Sequence, residues 1–258
     1  LACVHLEKNT AGVAFLDIST GEFLTAEGNF EYADKLLHNF SPKEVLYERG
    51  KNAQFQEIFG NRFCTYKLDD WIFTEETATD KLLKHFEIGS LKGFGVSNLR
   101  LGIIAAGAIL RYLDLTEHKQ VKHISTLSRI QEDHFVWLDK FTVRNLELFH
   151  PLFEGGKAFI EIIDRTLSPM GARLMKRWVA MPLKDINPIN ERLDAVEHLI
   201  KNVEMRKELE EHVARIGDLE RLMSRAAIGR VSPREIVQLR LALQAIVPVK
   251  ELCEKSGL

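Results

Sequence analysis

Asp17 closes one apolar run of the chain, Glu48 closes another, and Asp69 and Asp70 follow a third. If they converged, such carboxylates could hold two divalent ions and clamp the attacking and leaving oxygens of a phosphodiester. Their spacing does not force convergence. Asp17 followed by Ser19-Thr20-Gly21 is also an ordinary way to begin a hairpin turn, and that simpler reading is favoured. Other catalytic patterns fail residue by residue. Nucleotide hydrolysis needs the loop G-x-x-x-x-G-K-[ST]. Gly50-Lys51 is followed by Asn52 and Gly156-Lys157 by Ala158, and both lack the upstream glycine. Gly93-Phe94-Gly95 follows a helical pattern and reads as a turn. The 9 histidines show no metal-binding spacing, and no G-x-S-x-G elbow occurs. Cys3, Cys64 and Cys253 are odd in number and far apart, which argues against a disulfide framework or zinc site and for a reducing compartment. No catalytic, cofactor-binding or metal-ligating residue is assigned.

Two charged groupings could bind without catalysing. Arg173, Lys176 and Arg177 share a helical face and form a candidate weak phosphate-contact patch. In a helical domain, however, such arginines more often satisfy helix ends and carboxylates on neighbouring helices. Arg215, Arg221, Arg225, Arg230 and Arg234 alternate with Asp218, Glu220 and Glu235, as in an internal salt-bridge lattice. On the helix expected over 77–86, Ala78, Leu82, Leu83 and Phe86 gather on one side. Thr77, Asp80, Lys81 and Lys84 then face solvent as a candidate partner surface.

The elements that must position these groups change character along the chain. The 258 residues are 45% hydrophobic and 28% charged, with Lys+Arg 35 against Asp+Glu 37, which suits two globular domains and excludes bulk disorder. The near-zero balance gives no global footprint for nucleic acid or an anionic membrane. The longest apolar run, 101–110, is about half a membrane span. Runs at 1–7, 11–18 and 22–26 read as strands, with a hairpin turn at Ser19-Thr20-Gly21. Helix 32–40, strand 44–47, helix 55–59 and strand 62–66 follow, then longer helices over 77–86 and 99–115. Strands separated by single helices imply crossovers and a mixed sheet. The second half reads as all-helical. Ser168-Pro169, Asn187-Pro188 and Ser232-Pro233 look like helix starts, with Glu235 completing a capping box after Ser232. Two further helices are expected to meet near Gly217-Asp218. The expected architecture is α/β over 1–130, then all-α over 131–258. The chain begins at Leu1 inside a strand pattern, without Met or signal sequence, and looks like an excised fragment.

Five strings in order resemble the MutS family of DNA mismatch repair proteins. They are Phe15-Leu16-Asp17-Ile18-Ser19-Thr20-Gly21-Glu22-Phe23; Gly93-Phe94-Gly95 with Ala105-Ala106-Gly107-Ala108-Ile109-Leu110; and Leu138-Asp139 with Arg144-Asn145-Leu146-Glu147. The fourth is Leu167-Ser168-Pro169-Met170-Gly171-Ala172-Arg173-Leu174, and the fifth runs Arg192-Leu193-Asp194-Ala195-Val196, Asp218-Leu219-Glu220-Arg221 and Ser232-Pro233-Arg234. The resemblance implies a ribonuclease H-like connector, domain II, and the first part of the helical core or lever, domain III. It implies a role in transmission, a MutL-like partner docking on the connector, and a cytoplasmic bacterial protein without a membrane segment. Binding of mismatched duplex DNA, homodimerisation, ATP and magnesium would belong to the full-length protein only. The family's Phe-x-Glu wedge is matched by Phe55-Gln56-Glu57 and Phe73-Thr74-Glu75, which look accidental. The competing reading is a ribonuclease H-like metal-dependent nuclease using Asp17.

Overall fold

The computed structural model describes residues 1–118, 120–130 and 134–256. The chain divides into two compact units, Leu1–Glu132 and Asp133–Leu258.

Unit 1 is built on a mixed six-stranded sheet. β1 (Ala2–Glu7), β2 (Thr10–Asp17) and β3 (Glu22–Asn29) form an antiparallel meander. The chain then crosses through α1 (Phe30–Phe40) to β4 (Val45–Glu48), which pairs parallel with β1. A second crossover, α2 (Asn52–Phe59), leads to β5 (Thr65–Leu68), parallel to β4. The sheet order β5-β4-β1-β2-β3-β6 is the ribonuclease H-like arrangement. Its last member, β6 (Ser128–Arg129), pairs parallel with β3. Two residues carry too little pattern to announce a strand, so β6 was not expected. β5 also lies later than the expected 62–66, because the Arg62 guanidinium turns aside to pair with Asp34, while Leu68 enters the core.

Two helices complete the unit, α3 (Glu75–Phe86) and α4 (Arg100–Leu115). α4 is buried along almost its whole length, as its small residues and apolar run require. Gly12 is what lets it approach the sheet, since a Cβ there would sit 2.0 Å from the Leu101 carbonyl carbon. The Thr25 hydroxyl, 2.9 Å from both the Val13 and Gly102 carbonyls, ties β3 to the helix. The Glu27 carboxylate accepts the Leu101 N–H at 2.7 Å and sits favourably at the positive end of the helix dipole. At Gly107, α4 meets Ala78 of α3 with no room for a side chain.

Unit 2 is helical, with one isolated bridge between Phe135 and Leu183. Its helices are α5 (Lys140–Asn145), α6 (Phe159–Ile163), α7 (Pro169–Ala180), α8 (Ile186–Lys201), α9 (Val203–Ile216), α10 (Leu219–Ala227) and α11 (Pro233–Ser256). The Ser168 hydroxyl accepts the Gly171 N–H and Pro169 opens α7, as its sequence predicts. At α11 the Ser232 N–H donates to Glu235 at 2.8 Å and the Glu235 N–H returns to Ser232 at 3.4 Å, a closed capping box. Asn187 is not a cap: α8 already starts at Ile186, and Pro188 falls within its first turn, where a missing N–H costs nothing.

Candidate functional surfaces

The carboxylates that a nuclease would need are held apart. Asp17 ends β2 and accepts both the Ser19 N–H at 2.8 Å and its hydroxyl at 2.6 Å, the bonding of a hairpin turn. Glu48 ends β4. Because β2 runs antiparallel to β1 and β4 parallel to it, Asp17 lies beside the start of β1 and Glu48 toward its other end. Asp69 pairs with Arg49 at 3.0 Å, and Asp70 accepts the Gly50 N–H at 2.8 Å. Among the described residues no group of three or more His, Cys, Asp or Glu could hold a metal. Asp17, Glu48, Asp69 and Asp70 thus form no shared metal-holding cluster among the described residues.

Gly50 and Lys51 lie in a 3-10 turn, Arg49–Lys51, whose Gly50 N–H is already committed to Asp70. Phe55 and Phe73, the aromatic members of the two wedge-like tripeptides, are buried in the core.

One polar pairing was not legible from spacing. His5 on β1 lies with Nδ1 3.4 Å from a Glu48 oxygen, and its ring stacks on Phe73 at 5.5 Å. Burial pushes the imidazole down to about 4, so it is neutral near pH 7. Burial also raises the Glu48 carboxyl, with Asp70 adding to it. The parallel register of β1 and β4 makes this pair, and only a known sheet order could have foretold it.

The proposed partner face on α3 is smaller than expected. Asp80 and Lys84 are exposed, and the Thr77 hydroxyl accepts from Thr74 at 2.7 Å at the helix start. Lys81 corrects the expectation of a solvent-facing residue. Its amine reaches 2.6 Å from Asp114 on α4 and is mostly covered. The long lysine stem lets a residue at the side of a helix join the neighbour it packs against.

The phosphate-contact patch loses its centre in the same way. Arg173 makes a forked pair with Asp218, at 2.9 and 2.8 Å, and reaches Glu220 at 2.5 Å. It crosses from α7 to the N-terminus of α10, where carboxylates are favoured by the dipole. Lys176 remains exposed and Arg177 is partly buried. The expected lattice is present in part, through Arg221 to Asp218 at 3.6 Å and Arg225 to Glu235.

Unit 2 carries a further exposed apolar surface. Ile186, Leu193, Val196 and Ile200 along α8 and Val203 at the start of α9 are exposed, with Ile189 between them partly covered. From Ile186 to Ile200 the intervals of three and four residues make one apolar seam along α8.

Known proteins match along both units. A family model described as MutS domain II matches residues 1–125, and one described as MutS domain III matches residues 141–258. The chain is 60% identical over 256 residues to the DNA mismatch repair protein MutS of Bacteroides fragilis, covering 99% of this chain and 30% of that protein. It is 56% identical over 257 residues to MutS of Parabacteroides distasonis, covering 100% of this chain and 30% of the relative. For MutS of Cytophaga hutchinsonii the figures are 52% over 256 residues, 99% and 30%. The chain thus spans about 30% of the length of these curated relatives.

Proposed function

The chain belongs to the MutS family, and from that premise we propose that it is the connector and first lever part of a mismatch-repair ATPase. In this reading 1–130 is the connector and 131–258 the partial lever. The chain itself catalyses nothing and transmits between DNA-binding and ATP-hydrolysing parts carried elsewhere in the full-length protein. Coupling of that kind needs an element with two discrete positions that both sites bias. The observation that carries the proposal is the match to MutS domains II and III in order along the chain. Mismatched duplex DNA, homodimerisation, ATP and magnesium belong to the full-length protein, which works in the cytoplasm at the nucleoid. Among the described residues no helix is long and apolar enough to cross a membrane.

Calorimetry and duplex titration test this reading. The isolated chain is expected neither to bind ATP nor to prefer a mismatched duplex over its matched twin. Stoichiometric ATP binding, or clear mismatch preference at moderate salt, would overturn it.

The connector also docks a MutL-like protein, and the exposed part of α3, Asp80 and Lys84 with Thr77, contributes to that face. Exchanging the charges, Asp80→Lys with Lys84→Glu, preserves a pair four residues apart and leaves the fold intact. It reverses the local charge pattern, so affinity for the cognate MutL and its salt dependence should change. Unchanged binding with an unchanged circular dichroism spectrum removes α3 from the interface.

A further inference from the structure

His5 and Glu48 are buried together without satisfying each other. His5 is 8% exposed and sits on β1, inside the sheet between β2 and β4. The register that sets Val4 beside Tyr47 brings Glu48, the next residue of β4, to its flank on the same face. His5 Nδ1 and Glu48 Oε2 are both buried, and neither has a hydrogen-bond partner among the described residues. Their separation of 3.4 Å lies beyond the roughly 2.7–3.2 Å of a protein N–H···O bond. The imidazole is neutral near pH 7, so the contact is not an ion pair either. Two buried polar atoms that face each other in this way carry a desolvation cost that a cation between them would offset.

Geometry selects the ion. Nitrogen and oxygen ligands at about 2.0–2.1 Å from a tetrahedral zinc ion stand roughly 3.3–3.4 Å apart. Neighbouring oxygens on octahedral magnesium, also at about 2.0–2.1 Å, stand only about 2.9–3.0 Å apart. An imidazole nitrogen beside a carboxylate oxygen is a zinc donor set, whereas magnesium takes oxygen alone. The ring is already held in place, since it stacks on Phe73 at 5.5 Å and rides on an inner strand.

The surrounding charge also favours a cation. Glu7 acts on His5 and Asp70 on Glu48, against Lys51 and Arg100, so with Glu48 itself the carboxylates are in excess. Asp70 keeps its charge while it accepts the Gly50 N–H. Arg49 and Asp69 pair with each other and leave the balance unchanged.

We propose that His5 Nδ1 and Glu48 Oε2 bind a zinc ion as two of its four tetrahedral ligands, with water completing the set. The ion would tie β1 to β4 at the carboxyl ends of both strands. With two protein ligands it is held less tightly than a structural zinc ion with four.

Calorimetric titration of Zn2+ into the whole chain, first dialysed against a chelator, tests the site. One equivalent should bind, and more weakly as pH falls, because protons compete for both ligands. His5→Phe keeps the stack on Phe73 and removes the nitrogen ligand, and Glu48→Gln removes the carboxylate. Each should weaken that event at least tenfold with circular dichroism unchanged. The His134 and Asp185 side chains of unit 2, 2.5 Å apart and exposed, supply the control, so His134→Gln should leave the event intact. Co2+ bound in place of Zn2+ should give the visible absorption of tetrahedral coordination, and Mg2+ should not compete. Should His5→Phe unfold, Glu48→Gln and the cobalt spectrum of the parent chain decide. Absence of stoichiometric Zn2+ binding overturns the proposal, as does unchanged affinity in Glu48→Gln. Loss of the event in His134→Gln would assign the ion to the exposed pair and overturn it also.

Discussion

In unit 1, Ile104, Ile109 and Leu110 vanish beneath a sheet and a neighbouring helix, whereas in unit 2 Ile186, Leu193 and Ile200 lie open along α8. The side chains are of one kind, and the helices α4 and α8 each run 16 residues. The difference lies in what faces them. α4 lies against three strands and α3, with glycines removing every obstacle to close approach. Exposed apolar seams of this extent mark surfaces that bind something. The large apolar residues of α8 have no such cover among the described residues.

The comparison breaks most sharply on packing. Gly12→Val would drive carbon into the Leu101 backbone and should cost about 3 kcal/mol or more, since overpacking at rigid backbone has no cheap relaxation. Ile109→Ala, at a fully buried site, should cost about 2–5 kcal/mol. Leu193→Ala on the open seam should change the stability of this chain by less than about 0.5 kcal/mol. Urea unfolding with peptide-resolved hydrogen exchange separates the units. A Leu193→Ala loss as large as that of Ile109→Ala would show that the seam is already covered.

Acid should act on unit 1 next. A buried imidazole lowered to about 4 binds its proton less readily than in the unfolded chain, where it titrates near 6.5. The unfolded state therefore holds more protons between those values, and stability contributed by neutral His5 is lost as pH falls from about 6.5 to about 4. The raised Glu48 carboxyl works in the opposite sense, since its protonated form is favoured by folding. The His5 contribution is on the order of 2–3 kcal/mol and should shift the melting temperature of unit 1 downward. His5→Phe keeps the stack on Phe73 and should flatten this pH dependence. A slope unchanged by the substitution would place the sensitive group elsewhere.

Unit 2 relies more on charged links between helices. Arg173→Ala should cost about 1–2 kcal/mol, because it strands two carboxylates while their partial exposure moderates the loss. The pairing holds the Asp218 carboxyl below its usual range. Its contribution is present above the unfolded value near 3.9 and is lost as pH falls through the lowered one. A double cycle with Asp218→Asn, read by urea unfolding, should show coupling. Additive single losses would deny the link.

How far these features could be read beforehand depended on their range in sequence. The β1–β2–β3 meander, α4 and the caps at Ser168 and Ser232 are written in neighbouring residues, and the structure has them. β5 slipped along the chain because Arg62 found Asp34, a partner brought near only by folding. Lys81 looked solvent-facing on a helical wheel, which ignores Asp114 on the helix packed beside it. Among the candidate functional residues, the role of Arg173 as a link between helices was foreseeable in kind, since it sat in a helical, carboxylate-rich stretch. Its partners were not. His5 with Glu48 needed the register of a sheet, which spacing does not encode.

The smallest effect concerns helix starts, and it sharpens the contrast between a helix held by its neighbours and one held by its own end. Thr74 caps α3 by accepting the Thr77 N–H at 3.3 Å, and Ser232 caps α11 through its exchange with Glu235. Removing either hydroxyl by alanine should cost about 0.5–2 kcal/mol, with the exposed setting of both favouring the lower end. The location of the loss should differ. α3 is pinned to α4 at Gly107 only a turn beyond its cap, so its first turn should stay ordered and the loss should appear in the global stability of unit 1. The start of α11 has exposed Ile236 and Val237 and no buried residue before Ala242. With little packing to hold it, that first turn depends on its cap, as a short isolated helix would. Ser232→Ala should therefore raise amide exchange through about residue 237 while leaving the unfolding midpoint nearly unchanged, and Thr74→Ala should do the reverse. Equal fraying at both helix starts would mean that the packing around Gly107 does not protect α3, and the contrast between a closed and an open unit would fail at its finest scale.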